Sequence, residues 1–226
     1  MLEEARVYNQ GLVGKNLSIN GENTKNTNYK NILSVDGAGM MGYLKIPKIN
    51  VRIPIYHGTD SYILQAGIGH LEGTSFPLGT DTEHCVLTGH TGLPSSKLLT
   101  DLVELEVGDS FDVIILNKIF NYEIDQILVV EPNDTDNLEI VDGKQYCTIV
   151  TCTPYGVNSH RLLVRGHLKE NTISADIASE AVVVNSNILI MAISIPLIII
   201  LFIVMVRLRK KKRMKELENE KIKNNK

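Results

Sequence analysis

Between Gly42 and Leu168 the chain runs as a succession of short apolar stretches broken by glycine, proline, asparagine and aspartate, and few folds accept that rhythm. Gly42-Tyr-Leu-Lys-Ile-Pro-Lys-Ile and Val51-Arg-Ile-Pro-Ile-Tyr alternate apolar with polar residues, the period of half-buried strands. His84 to Thr88, Phe111 to Leu116, Ile119 to Val130, Gln145 to Thr151 and His160 to Leu168 are further strand candidates, most of them rich in Val, Ile and Tyr. Pro47 and Pro54 call for edge positions or bulges, because proline donates no ladder hydrogen bond. Ser61 to Ala66 and Ser95 to Leu105 read as short helices, and Asp136 to Ile140 as a helical turn. Such a chain is mainly β. Its many short strands suggest a closed or nearly closed barrel, although a sandwich fits the pattern equally. Residues 1–38 read as a polar lead-in: a short helix from Glu3 to Val13, then a mobile Asn/Gly/Ser-rich stretch from Gly14 to Lys30.

A different physics governs the other end. From Ile188 to Val206 no residue carries a charge, a length that matches the roughly 20 residues needed to cross a hydrocarbon core. Residues 207–226 then hold ten Lys or Arg against three Glu, and the other 206 residues carry 13 basic and 23 acidic side chains. Basic residues directly after a span place the C-terminus in the cytoplasm and the acidic domain outside the cell. An acidic domain is a poor partner for nucleic acid. The expected organisation is a lead-in at 1–38, a folded domain at 39–170, a connector at 171–187, a transmembrane helix at 188–206 and a basic tail at 207–226. Met1-Leu-Glu-Glu-Ala-Arg contains no apolar signal core. An exported domain ahead of its span needs a signal, so a preceding segment or an earlier start is expected.

Three cysteines, Cys85, Cys147 and Cys152, are an odd number for an exported chain, so at least one is free. None has zinc-ligand spacing, and no metal or cofactor is called for. Cys152 stands out. Thr148-Ile-Val-Thr-Cys152 is a β-branched run that breaks at Pro154-Tyr-Gly156, and Asn158-Ser-His-Arg161-Leu-Leu-Val-Arg165-Gly166 returns as the next strand. One sulfur therefore lies at a strand end with a permanent cation on the neighbouring strand, a setting that favours a thiolate and can stabilise an oxyanion. Cys147, an odd number of residues earlier, points to the opposite face and reads as a core thiol, as does Cys85. Arg161 and Arg165 share one face of their strand, and geometry alone does not choose between them. Leu87-Thr-Gly-His90-Thr-Gly-Leu-Pro94 adds an imidazole between glycines after another apolar run, which leaves the ring accessible. His57, His70, His84, His160 and His167 have no such setting.

These segments together resemble the sortases, cysteine transpeptidases of Gram-positive cell surfaces, and most of all their class C, the pilin polymerases. The resemblance runs from about Met40 to Lys169. It implies a barrel of about eight strands with the catalytic groups at one rim, Cys152 as nucleophile, His90 as general acid and base, and Arg161 rather than Arg165 at the oxyanion. Thr88, Thr151 and Tyr155 are the candidate substrate contacts, and His70 is structural or pocket-lining. The implied partners are pilin or surface-protein precursors bearing LPxTG-like signals, with a lysine amine as acceptor and the membrane as anchor. A sortase of another class, using peptidoglycan amines, and a non-enzymatic membrane-tethered β-domain are the alternatives. The chain departs from the class C pattern twice. Thr91 replaces the Arg that often follows the histidine, and no Asp-Pro-aromatic lid precedes Pro47, the first proline. An open site follows from the second departure, with Cys152 reactivity expected to change little when residues 1–38 are removed.

Overall fold

The computed structural model describes residues 1–15, 17, 28–34, 37, 39–93, 96–169 and 205. The chain divides into two compact units, Met1–Asp176 and Ile177–Lys226. The predicted span at 188–206 lies outside the described residues except for Met205, and among the described residues no helix is long and apolar enough to cross a membrane.

Eight strands close the barrel. They are β1 (Met40–Ile46), β2 (Val51–His57), β3 (Ile68–His70), β4 (Glu83–Thr88), β7 (Ser110–Ile115), β8 (Lys118–Val130), β9 (Gln145–Thr153) and β10 (His160–Leu168); β5 (Thr91–Leu93) and β6 (Ser96–Leu98) form a separate hairpin. Around the barrel the order is β1-β2-β3-β4-β9-β10-β8-β7, and β7 pairs back onto β1. The β2–β3 and β4–β9 pairs are parallel and the others antiparallel. The barrel, not the sandwich, is therefore the architecture, with the strand number the resemblance implies. Closure removes the unpaired edges that an open sheet would expose. Pro54 is tolerated because β3 meets β2 only at Ile55–His57, so no ladder bond is asked of its nitrogen on that side. Pro47 opens a 3-10 turn, Pro47–Ile49.

Strand parity builds the core. Cys147, Ile149 and Thr151 of β9 are buried, as are Leu44 and Ile46 of β1, Cys85 and Leu87 of β4, Phe111 and Val113 of β7, Tyr122 of β8 and Val164 of β10. Helix α2 (Ser61–Ala66) lies where the sequence puts it. The helix expected over Ser95 to Leu105 does not form. Leu98 takes a positive φ of 39° as β6 ends, and only the 3-10 turn Thr100–Glu104 remains. The leucine spacing there marks burial of Leu98, Leu99, Leu102 and Leu105, not helix.

Residues expected to form a polar lead-in instead contribute to the core. Helix α1 (Leu2–Gln10) buries Ala5, Tyr8 and Asn9, and Leu12, Tyr29, Ile32 and Leu33 are buried with them. Asn9 acts as a backbone surrogate: its Nδ2 donates to the Phe76 carbonyl at 2.8 Å and its Oδ1 accepts from the Phe76 N–H at 2.8 Å. The His70 and Phe76 rings stack at 4.7 Å, with Tyr8 4.9 Å from Phe76. His70 Nε2 donates to the Ser75 carbonyl at 3.0 Å, and the Tyr29 hydroxyl lies 2.9 Å from both Nδ1 and the His70 carbonyl. Burial pushes the His70 pKa down to about 4, in keeping with a neutral ring. His70 is thus structural. Removing residues 1–38 would strip these side chains from the core.

Candidate active site

On three neighbouring strands the outward face is apolar where water would be expected. Val150 of β9 and Leu163 of β10 are register partners, Val86 of β4 lies two positions from Thr88, the β4 partner of Val150, and Val86 and Leu163 form a second buried cluster with Leu138. Something must cover them. The cover is the connection between β8 and β9, seated by Leu138 in a 3-10 turn, Asp136–Leu138. His84 of β4 pins it: Nδ1 donates to the Glu139 carbonyl at 2.8 Å while Nε2 accepts from the Thr148 hydroxyl at 2.7 Å. That arrangement needs a neutral ring, and burial holds the His84 pKa down at about 4. Between wall and cover lies a cavity of about 360 Å³.

The three candidate catalytic residues line this one cavity. Cys152 ends the outward row of β9, half-buried, and Arg161 is its register partner on β10. The Arg161 guanidinium donates through Nη1 to the carbonyls of Asn158 at 3.2 Å and His160 at 3.0 Å. Among the described residues no carboxylate pairs with it. Arg165 sits two outward positions further along, away from the cavity. It makes a bidentate bond to Asp125 at 2.9 and 3.1 Å and stacks over Tyr146 at 4.2 Å. The two arginines that strand geometry alone leaves level differ in their neighbours. His90 follows β4, whose parallel pairing with β9 continues through Gly89 N–H donating to the Val150 carbonyl at 3.1 Å. A Cβ at Gly89 would approach the Ile68 and Leu99 side chains to 2.5 and 2.9 Å, so the turn packs tightly behind the imidazole.

Thr88 and Thr151 also line the cavity, whereas Tyr155 does not; it is 70% exposed, its ring beside Gly92, where φ is +63°. A Cβ at Gly92 would come within 3.0 Å of that ring. Sequence reasoning missed Thr59, Leu64, Leu71, Pro132, Asp134 and Thr135, which line the same cavity. The signal was available: Val86, Val150 and Leu163 are apolar at outward positions, which marks a covered face. Leu17, in the stretch expected to leave the site open, packs against the same apolar cluster. Among the described residues no cluster of three His, Cys, Asp or Glu is placed to hold a metal ion. All three cysteines are free. Cys85 and Cys147 are register partners sealed inside the barrel, and burial beside Cys147 raises the Cys85 pKa well above its ordinary value. A thiol, an imidazole and an unpaired guanidinium facing one cavity are the groups needed for acyl transfer through a covalent intermediate.

Comparison with known proteins agrees in kind. A family model described as a sortase domain matches residues 44–169. Sortase D of Bacillus subtilis is 32% identical over 114 residues, covering 50% of this chain and 54% of its own length. A sortase A of Streptococcus agalactiae is 26% identical over 147 residues, covering 64% and 58%. The chain thus spans little more than half the length of these curated relatives. Among solved structures, sortase C1 from Streptococcus agalactiae superposes with a TM-score of 0.71 at 49% identity, over 75% of this chain and 88% of the other. Sortase C from Streptococcus pneumoniae gives 0.67 at 41% identity, over 76% and 90%.

Proposed function

Because the chain belongs to the sortase family, we propose that it is a membrane-anchored cysteine transpeptidase that cleaves LPxTG-like sorting signals and passes the acyl group to a lysine amine of a pilin subunit. One observation carries the proposal: Cys152, His90 and Arg161 line a single cavity, with Arg161 directly across the ladder from Cys152.

In the first half-reaction the Cys152 thiolate attacks the threonine carbonyl carbon of the signal, and a sulfur–carbon bond forms. The carbonyl π pair moves to oxygen, where the Arg161 guanidinium faces it. Collapse breaks the carbon–nitrogen bond to glycine, and His90 gives its proton to the departing amine. A thioester remains on Cys152. In the second, an amine nitrogen attacks the thioester carbonyl and yields its proton to His90. The carbon–sulfur bond then breaks and the thiolate is restored. Arg161 is suited to the oxyanion because its partners are carbonyls; Arg165 is committed to Asp125.

The pilin acceptor draws support from the likeness to sortases of class C, one of them described by its pilin substrate specificity. The anchor rests on the uncharged run at 188–206 and the basic run after it. The purified full chain, given a Leu-Pro-x-Thr-Gly peptide together with a lysine-bearing peptide and a peptidoglycan stem peptide, is expected to form the lysine adduct, read by mass spectrometry. Preferential transfer to the stem peptide would replace the pilin assignment with wall anchoring. Protease added to protoplasts is expected to digest the domain and spare a tag after Lys226; a protected domain would reverse the topology.

A further inference from the structure

The backbone on either side of His90 is tied to the nucleophile's strand by two hydroxyls. Thr151 Oγ1 donates to the Gly89 carbonyl at 2.8 Å. Its oxygen lies 2.7 Å from Thr91 Oγ1, which in turn bonds the carbonyl of Cys152 itself. Each hydroxyl has one proton to give. With the Thr151 proton on Gly89 and the Thr91 proton on Cys152, the two hydroxyl oxygens touch without a proton between them, and they make two separate ties, one from the residue before His90 to the nucleophile's strand and one from the residue after it to the nucleophile's own peptide. His90 sits between the two anchors. Thr91 opens β5, a hairpin strand outside the barrel ladder, so this side-chain contact supplements the ladder pairing of β4 with β9.

We propose that Thr91 is a positioning residue that sets the distance between the His90 imidazole and the Cys152 sulfur. The proposal rests on the transpeptidase reading above, in which those two groups exchange protons with one substrate. A displacement on the order of 1 Å in such a pair costs about a hundredfold in rate, and valine reproduces the shape of threonine without its hydroxyl.

The test compares full-length wild type, Thr91→Val and Thr91→Ser on a fluorogenic Leu-Pro-x-Thr-Gly peptide, with kcat and KM resolved and thermal midpoints measured alongside. Thr91→Val is expected to lower kcat about 10- to 100-fold and to shift its pH profile, with KM and midpoint held. Thr91→Ser is expected to stay within about threefold of wild type, since it keeps the proton. Equal losses in both variants, an unchanged kcat in Thr91→Val, or a loss that tracks a lowered midpoint would each overturn the proposal. A wild type that fails to cleave the peptide counts against the transpeptidase reading instead. Alkylation of Cys152 by iodoacetamide across pH then judges Thr91 without a substrate. A profile altered in Thr91→Val and restored in Thr91→Ser supports positioning, and one identical in all three proteins rejects it.

Discussion

The wall made by β4, β9 and β10 carries cysteine on both faces, and each face gives sulfur a different chemistry. Inside, Cys85 and Cys147 are fully buried against one another, and burial raises the Cys85 pKa, which disfavours the charged form that would react. Outside, Cys152 opens on a cavity shared with an imidazole and a guanidinium. The two residues of β9 differ only by strand parity. Reactivity in this chain is decided by access and neighbours, and parity assigns both. The same contrast divides the arginines of β10, which share a face but not a partner.

The contrast breaks most sharply at the sulfurs. Cys152→Ala is expected to remove peptide cleavage and thioester trapping, a loss of more than about 10³-fold. Cys147→Ala is expected to keep kcat within a few-fold while lowering stability by about 1 kcal/mol, through the small void it leaves. Cleavage surviving in Cys152→Ala would end the argument for a covalent route. At the arginines, Arg161→Ala is expected to lower kcat/KM by about 10²- to 10³-fold with little change in urea midpoint. Arg165→Ala is expected to do the reverse, losing about 2 kcal/mol with its bidentate bond to Asp125 and sparing catalysis. Exchanged outcomes would move the oxyanion role to Arg165.

Thiol labelling sharpens the comparison directly. In the folded chain iodoacetamide is expected to modify Cys152 at least about tenfold faster than Cys85 or Cys147, because ionisation and access act together. Peptide mapping reads the three sites, and comparable rates would show that the inner face is not sealed. Leu17→Ala is expected to change the Cys152 rate by no more than a few-fold, whereas removal of residues 1–38 is expected to speed labelling of Cys85 and Cys147, whose buried core includes Ala5, Tyr8 and Tyr29.

The smallest effect comes from pH. His70 and His84 have folded pKa values of about 4, below the ordinary 6.5. The unfolded chain therefore takes up protons that the native rings refuse. Stability is complete above pH 6.5 and falls as pH drops toward 4, by up to about 3 kcal/mol per ring. Glu83 runs the other way. Burial raises its pKa above 4.5, so its contribution grows as pH falls and offsets part of the loss. Thermal midpoints measured from pH 7 to 4 are expected to decline, and His84→Gln to flatten the decline in part. A midpoint constant over that range would contradict the buried, neutral rings.

Much of this was legible in the residues. The strand His160–Leu168 and helix Ser61–Ala66 stand where their patterns put them, because each has one periodicity and clear breakers. Cys152 and Cys147 separate by parity alone. The N-terminal packing was hidden differently. Ala5, Tyr8, Asn9 and Leu12 keep helical spacing, but polar neighbours outnumber them, and the surface they meet comes from Phe76 and His70, far along the chain. Strand geometry alone did not separate Arg161 from Arg165, and the choice of Arg161 rested on the resemblance, since the carboxylate that engages Arg165, Asp125, lies on another strand. The Thr91–Thr151 contact depends on which residues a parallel pairing brings together, and that register is written in no local pattern.

That parallel pairing also sets a clock. Gly89 and Thr151 lie 62 residues apart along the chain yet share a hydrogen bond, and β9 enters the sheet between two strands, β4 made long before it and β10 made after. Non-local pairings of this kind form late, since loop closure precedes any reward from contact. As the chain is synthesised, the imidazole exists first, the sulfur next and the guanidinium last. On the reading proposed above, a nascent chain that has not yet reached Arg161 holds Cys152 without the cation across the ladder, and the three groups come to share one cavity only when β10 has joined the barrel.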